Sequence, residues 1–190
     1  MRLLLHACCG PCSLYSTGQL LAEGVEPTLF FVNPNIHPYR EYEARYESLR
    51  RLTAERGWPL LVEPVYDPAA FFNLINQHEQ DRCRYCYQLR LAKTAARARE
   101  LGFGHYSTTL LISPYQNRDL LLEIGRRVGR EHGLVFYEAD WRPGFQKSQA
   151  EAKMLGLYRQ QYCGCLYSEM DRYYRPAAPE KPPKPEVPRP

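Results

Sequence analysis

The chain has 190 residues, 44% hydrophobic and 24% charged, with a net charge of +4. That suits one domain with a real core and is too little for two. No apolar run approaches the ~18 residues of a membrane helix, and Met1 to Cys9 runs too directly into a cysteine motif for a secretory signal, so a cytoplasmic protein with no membrane partner is expected. The slight basic excess permits a nucleic-acid partner without arguing for one.

Strand-like and helix-like segments alternate. Arg2–His6 is a short apolar strand ending in Cys8-Cys9-Gly10-Pro11-Cys12, and Ser13–Glu23 reads as a helix closed by Gly24. Pro27–Val32 is a second strand before the turn signal Asn33-Pro34-Asn35. Tyr39–Arg56 is a long charged helix ending at Gly57, with Arg40–Arg56 read as a solvated face; Pro59–Val65 is a third strand. Helices are predicted over Pro68–Gln77 and Arg84–Leu101, a strand over His105–Leu110, a helix over Arg118–His132 and a fifth strand over Leu134–Tyr137. Gln146–Arg175 reads as helical, interrupted at Cys163-Gly164-Cys165. Strands separated by long helices require crossover connections, so the fold class is α/β: a single domain over residues 1–175, its sheet mostly parallel with helices on both faces. Sites in such sheets form at the carboxyl ends of strands, where the first cysteine group lies. In residues 176–190, seven of fifteen positions are proline. That composition predicts an extended, disordered tail, with a proline-rich docking ligand as the alternative.

Seven cysteines fall into three groups: Cys8, Cys9 and Cys12; Cys83 and Cys86; Cys163 and Cys165. An odd number in tight groups is not a secreted disulfide framework and points to metal or redox chemistry. The helix following Cys12 should favour thiolate, the form that binds metal. Arg82 and Arg84 beside the second group could offset thiolate charge. Structural zinc sites use four ligands on small knuckles, whereas an iron–sulfur cluster held by four thiolates would leave three over for redox work. Both metals remain open on these residues alone.

The motifs His6-x-Cys8-Cys9-x-Pro11-Cys12, Cys83-x-x-Cys86-Tyr87 with Leu89-Arg90-Leu91, Thr108-Thr109-Leu110-Leu111-Ile112-Ser113-Pro114-Tyr115-Gln116, Trp141-Arg142-Pro143-Gly144-Phe145 and Leu157 to Cys165 occur in this order. Together they resemble the epoxyqueuosine reductases of the QueH type over residues 1–170. The resemblance implies a HUP-like, Rossmann-related fold, a [4Fe–4S] cluster, and reduction of the epoxide of epoxyqueuosine in the tRNA anticodon loop to the alkene of queuosine. It implies Cys8, Cys9, Cys83 and Cys86 as cluster ligands and Cys163 with Cys165 as a redox-active, disulfide-forming pair. It also implies a further mononuclear iron, for which Cys12 is the candidate ligand. The expected partners are tRNA carrying epoxyqueuosine and an unidentified electron donor.

Epoxide removal to an alkene takes two electrons and two protons, and Asp140 and Asp81 are the carboxylates nearest in sequence to the site loops. Tyr85, Tyr87, Arg84, Arg90 and Lys93 on one helix, with Trp141, Arg142, Phe145 and Lys147 in one loop, are candidates for stacking a base and holding phosphates; a core role for the aromatics is the alternative. His6 reads equally as a ligand or a hydrogen-bonded core histidine. Two other readings compete. A tRNA-thiolating or adenylating enzyme of related fold needs a glycine-rich phosphate loop where this chain has Cys8-Cys9-Gly10-Pro11-Cys12-Ser13. A non-catalytic zinc-binding nucleic-acid module would contain zinc and no sulfide.

Overall fold

A computed structural model describes residues 1–64 and 66–175. The proline-rich segment 176–190 lies outside the described residues. The strands are β1 (Arg2–His6), β2 (Glu26–Phe31), β3 (Leu60–Val62), β4 (His105–Thr108) and β5 (Val135–Phe136). The helices are α1 (Gly10–Ala22), α2 (Tyr39–Arg56), α3 (Pro68–Asn76), α4 (Arg82–Glu100), α5 (Arg118–His132), α6 (Phe145–Met154) and α7 (Leu166–Tyr173), with short 3-10 turns between some of them.

The strands form one sheet in the order β3-β2-β1-β4-β5, and every pairing is parallel. Parallel neighbours need crossovers, and the intervening helices supply them in two groups. Helices α1, α2 and α6 pack together, while α4 packs on α5, β1 and β4. Right-handed connections put helices on opposite faces when the chain turns from building leftward to building rightward. Central strands covered on both faces should be apolar throughout rather than alternating. Leu3, Leu4 and Leu5 on β1, and Leu29, Phe30 and Phe31 on β2, are accordingly all buried.

The boundaries of α2 and α5 coincide with the predicted ones, and both helices stop at Gly57 and Gly133. Other elements differ. Helix α1 begins at Gly10, because Cys9 adopts extended backbone as its N-cap and Pro11 sits in the first turn, where a missing N–H costs nothing. The cysteine motif is therefore the start of the helix rather than a turn before it. Strand β3 is reduced to Leu60–Val62, and the predicted fourth strand passes into a 3-10 turn at Thr109. The C-terminal part is helical only over α6 and α7, and the segment 155–165 between them is irregular.

Reading α2 as a solvated face also needs correction. Arg45 is 1% exposed and Glu41 8% exposed, and the two form an ion pair at 2.7 Å. Arg45 additionally donates to the carbonyls of Tyr162 and Cys163, both at 2.9 Å. The Tyr158 hydroxyl bonds to the Glu41 carboxylate, and that of Tyr162 donates to the His37 carbonyl at 2.5 Å. This network ties the irregular segment across α2 and onto the carboxyl end of the sheet.

Candidate functional site

The chain builds β2 and β3 to one side of β1, then returns to place β4 on the other side. The carboxyl ends of β1 and β4 therefore flank the point where strand order reverses, which is where open α/β sheets bind ligands. Cys8 follows β1 there, and its backbone N–H donates to Thr109 Oγ1 at 3.4 Å. The sulfurs of Cys8, Cys9 and Cys12 lie within 4.8 Å of one another; among the described residues they are the only such group of three histidine, cysteine or acidic side chains. All three are buried at the N-terminal end of α1. Gly10 permits this packing: a Cβ there would stand 2.6 Å from Ser48 Oγ and 2.9 Å from the Ser48 carbonyl oxygen on α2.

The three thiols share charge unequally. Hydrogen bonds from Cys12 and Cys9 hold Cys8 well below the usual thiol range. Burial pushes Cys9 up, and the contact with Cys8 pushes Cys12 up. The shifts within the trio are therefore unequal, Cys8 down and its two neighbours up, rather than the general lowering that a helix N-terminus suggests.

The other four cysteines gather separately. Cys83 and Cys86 lie in the first turn of α4 and Cys163 and Cys165 before α7, and all four line one cavity of about 180 Å³ together with Asn35, Phe71 and Gln116. Burial pushes Cys86 up to about 12, and burial also raises Cys83. All seven cysteines are free thiols. The turn between Cys163 and Cys165 depends on Gly164, whose φ of +141° disfavours any side chain. A Cβ there would also approach Ile36, Asn35 and Arg45 at 3.2–3.4 Å.

Two buried guanidiniums stand between these groups. Arg90 is 1% exposed and interacts electrostatically with Cys86, Cys163 and Cys8; Arg45 does so with Cys9 and Cys8. They offset the thiolates together with Arg82, which is paired with Asp171 yet still lowers Cys83 as expected, whereas Arg84 is paired with Glu123. Arg90 Nη2, Asn33 Oδ1, Asn35 Oδ1 and Gln160 Oε1 are buried without a partner in the protein. Unpaired buried polar atoms are costly, and here they collect around thiols able to hold a metal. The donor set fits a thiolate-bound metal, and the guanidiniums fit the negative charge that several thiolates bring. Arg45 was not legible as a site residue, because an arginine on a charged helix gives no sign of which way it faces, and Arg90 was read as a phosphate contact rather than as a partner of the thiols.

Several candidate residues do other work. Asp140 is chelated by Arg142 through two hydrogen bonds of 2.7 and 2.6 Å, which hold its carboxyl down at about 2. It is ionised at neutral pH and has no proton to give. Tyr87, Arg90 and Trp141 are buried, so they cannot meet a base or a phosphate at the surface, and Lys93 is paired with Glu63. His6 is a buried core histidine, Nδ1 bonded to Thr108 Oγ1 at 2.9 Å, and burial lowers it to about 4.

Fold and site together define a doubly wound α/β protein with two thiol groups at its switch point. Among solved structures it resembles a predicted subunit of tRNA methyltransferase from Methanocaldococcus jannaschii, with a TM-score of 0.52 and 14% identity over 80% of this chain and 76% of that one. At that identity the likeness speaks for the fold. The profile of the epoxyqueuosine reductase QueH family matches residues 3–171. Epoxyqueuosine reductase QueH of Dehalococcoides mccartyi is 40% identical over 94% of this chain and 98% of its own length. Its namesake in Haemophilus influenzae is 34% identical over 90% and 72%, and that of Thermotoga maritima 32% identical over 89% and 91%. The chain belongs to the epoxyqueuosine reductase QueH family, a family of enzymes.

Proposed function

We propose that this protein reduces the epoxide of epoxyqueuosine in a tRNA anticodon loop to the alkene of queuosine, in the cytoplasm, using a [4Fe–4S] cluster. Family membership over nearly the whole described chain supports the reaction, and the observation that carries the chemistry is the seven free thiols flanking two buried arginines. Cys8, Cys9, Cys83 and Cys86 hold the cluster in this reading, Cys12 is the ligand of a further iron, and Cys163 and Cys165 form the redox pair. When bound, such a cluster would supply electrons singly, and the further iron held by Cys12 would supply a Lewis acid for the epoxide oxygen.

The chain's own groups do the rest. The reaction consumes two electrons and two protons and releases the oxygen as water. Asp140, held ionised by Arg142, is not available to supply those protons. Arg45 and Arg90, both buried, offset negative charge on the thiolates, and Arg45 also holds the Cys163 loop against α2. The electron donor is a separate reductant.

The cavity favours a second ligand assignment, in which Cys83, Cys86, Cys163 and Cys165 hold the cluster and the Cys8 trio holds the additional metal. Anaerobic purification with iron, zinc and acid-labile sulfide quantified tests the proposal: about four sulfides per chain are expected, with about four irons from the cluster and one more from the further site. One zinc without sulfide overturns it in favour of the zinc module. Cys163→Ala separates the assignments: the cluster spectrum survives in the first and is lost in the second.

A further inference from the structure

The cavity lined by Cys163 and Cys165 contains a hydrogen-bond chain whose direction is fixed. Asn117, the N-cap of α5, donates its backbone N–H to Tyr87 Oη at 3.3 Å. An amide N–H can only donate, so the tyrosine oxygen accepts there and its own proton points elsewhere. It points to Gln116 Oε1, 2.8 Å away. The carboxamide oxygen is thereby committed as an acceptor, which turns its NH₂ toward Cys163 Sγ at 3.4 Å. Which end of a glutamine faces a sulfur is ordinarily ambiguous; here the neighbours decide it.

The two cysteines of the loop differ in every other respect. Cys163 is exposed, whereas Cys165 is half-buried and packs with Phe71, Ile75 and Cys86. Cys165 serves as the N-cap of α7 and makes no side-chain capping bond. A fixed N–H aimed at sulfur interacts more strongly with a thiolate than with a thiol or a disulfide, because charge-assisted hydrogen bonds are about twice as strong as neutral ones.

We infer that Gln116, held by Tyr87, is a positioning residue that makes Cys163 rather than Cys165 the reactive member of the pair. The inference rests on the reading of Cys163 and Cys165 as a redox pair. When the pair exchanges with a cyclic dithiol disulfide, two protein thiols become one disulfide and the reagent disulfide becomes two thiols, so atoms and electrons balance without a further oxidant. By stabilising the reduced form, Gln116 makes the pair harder to oxidise, the logic that makes some dithiols strong oxidants.

The test uses iron-loaded, anaerobically purified full-length protein at pH 7.5. Limiting iodoacetamide, read residue by residue by mass spectrometry, should label Cys163 before Cys165. Gln116→Glu, which keeps the size and the acceptor but removes the donor, should slow labelling of Cys163 about tenfold and leave Cys165 unchanged. In a dithiothreitol exchange titration the same variant should shift the equilibrium about tenfold toward the disulfide, or about 30 mV. Tyr87→Phe, which frees the carboxamide to turn, should move both readouts the same way by a smaller factor. A merely structural role would change thermal stability without reordering the two thiols. The inference is overturned if Gln116→Glu leaves both readouts within twofold of wild type, or if Cys163 resists labelling in the wild type. Should the wild type form no Cys163–Cys165 disulfide, the redox-pair reading fails, and the labelling rates alone decide the role of Gln116.

Discussion

Replacing Arg45 with methionine tests whether the buried ion pair on α2 holds the thiol loop. The side chain is 1% exposed, pairs with Glu41 at 2.7 Å, and donates to the carbonyls of Tyr162 and Cys163 at 2.9 Å each. The variant leaves the Glu41 carboxylate buried with Tyr158 as its remaining side-chain partner and strips two carbonyls of a charged donor. Breaking a buried pair from one side costs roughly 3–5 kcal/mol, and the lost carbonyl bonds fall within that figure because one side chain makes them all. Against a domain stability of about 5–15 kcal/mol, the protein should still fold. Urea denaturation should show a loss of about 4 kcal/mol. The double variant Arg45→Met, Glu41→Met should recover most of that loss, since paired burial of two apolar groups is often neutral. It should not restore the loop. Hydrogen exchange at the amides of His37, bonded to the Gly164 carbonyl at 2.8 Å, and Gly164, bonded to Ser168 Oγ at 3.2 Å, should stay fast in both variants. A cost below 1 kcal/mol, or a double variant with native exchange at those amides, would refute the reasoning.

Gly164→Ala should destabilise by about 1–3 kcal/mol, because a left-handed φ is strained for alanine and its Cβ meets Ile36 Cγ1 at 3.2 Å; the expected readout is a lower denaturation midpoint with altered labelling of Cys163. His37 is buried among Phe71, Phe72 and Tyr66 with neither ring nitrogen partnered, and burial lowers it from 6.5 to about 4. The unfolded chain therefore binds the extra proton first as pH falls, so stability declines between about pH 6.5 and 4, by at most about 3 kcal/mol. His37→Phe should flatten the denaturation-midpoint profile over that window, and an unchanged slope would count against the assignment. Metal loading of thiols that are protonated in the free protein must release protons, so affinity should rise with pH between 6 and 8, with net proton release in weakly buffered titrations. Cys9, Cys12 and Cys86 are all pushed up, which makes pH-independent loading the contrary result.

The alternation of apolar strands and amphipathic helices made the doubly wound fold readable, since crossovers of that length leave a parallel sheet few alternatives. Helix ends marked by Gly57 and Gly133 were legible to the residue. The start of α1 was not, because Gly10-Pro11 suggests a turn in isolation and only the extended backbone of Cys9 makes it a first helical turn. The cysteine groups were visible as clusters along the chain, but their pairing in space was not. That Cys83 and Cys86 share a cavity with Cys163 and Cys165 follows from the return of the segment 155–165 across α2, and Arg45 secures that return. Arg45 lies in Tyr39–Arg56 among exposed Arg50, Arg51 and Glu47, and nothing in local composition distinguishes the one buried guanidinium from its solvated neighbours. Trp141 and Tyr87, aromatics beside basic residues, take the core role that stood as the alternative to base stacking.

The central claim is tested most directly by incubating iron-loaded protein with tRNA carrying epoxyqueuosine under anaerobic, reducing conditions and weighing the released nucleosides by mass spectrometry. The account predicts that epoxyqueuosine is replaced by a nucleoside lighter by one oxygen, and that Cys83→Ala abolishes the change. Epoxyqueuosine that persists unaltered with the fully loaded wild type, or conversion that survives in Cys83→Ala, would contradict it.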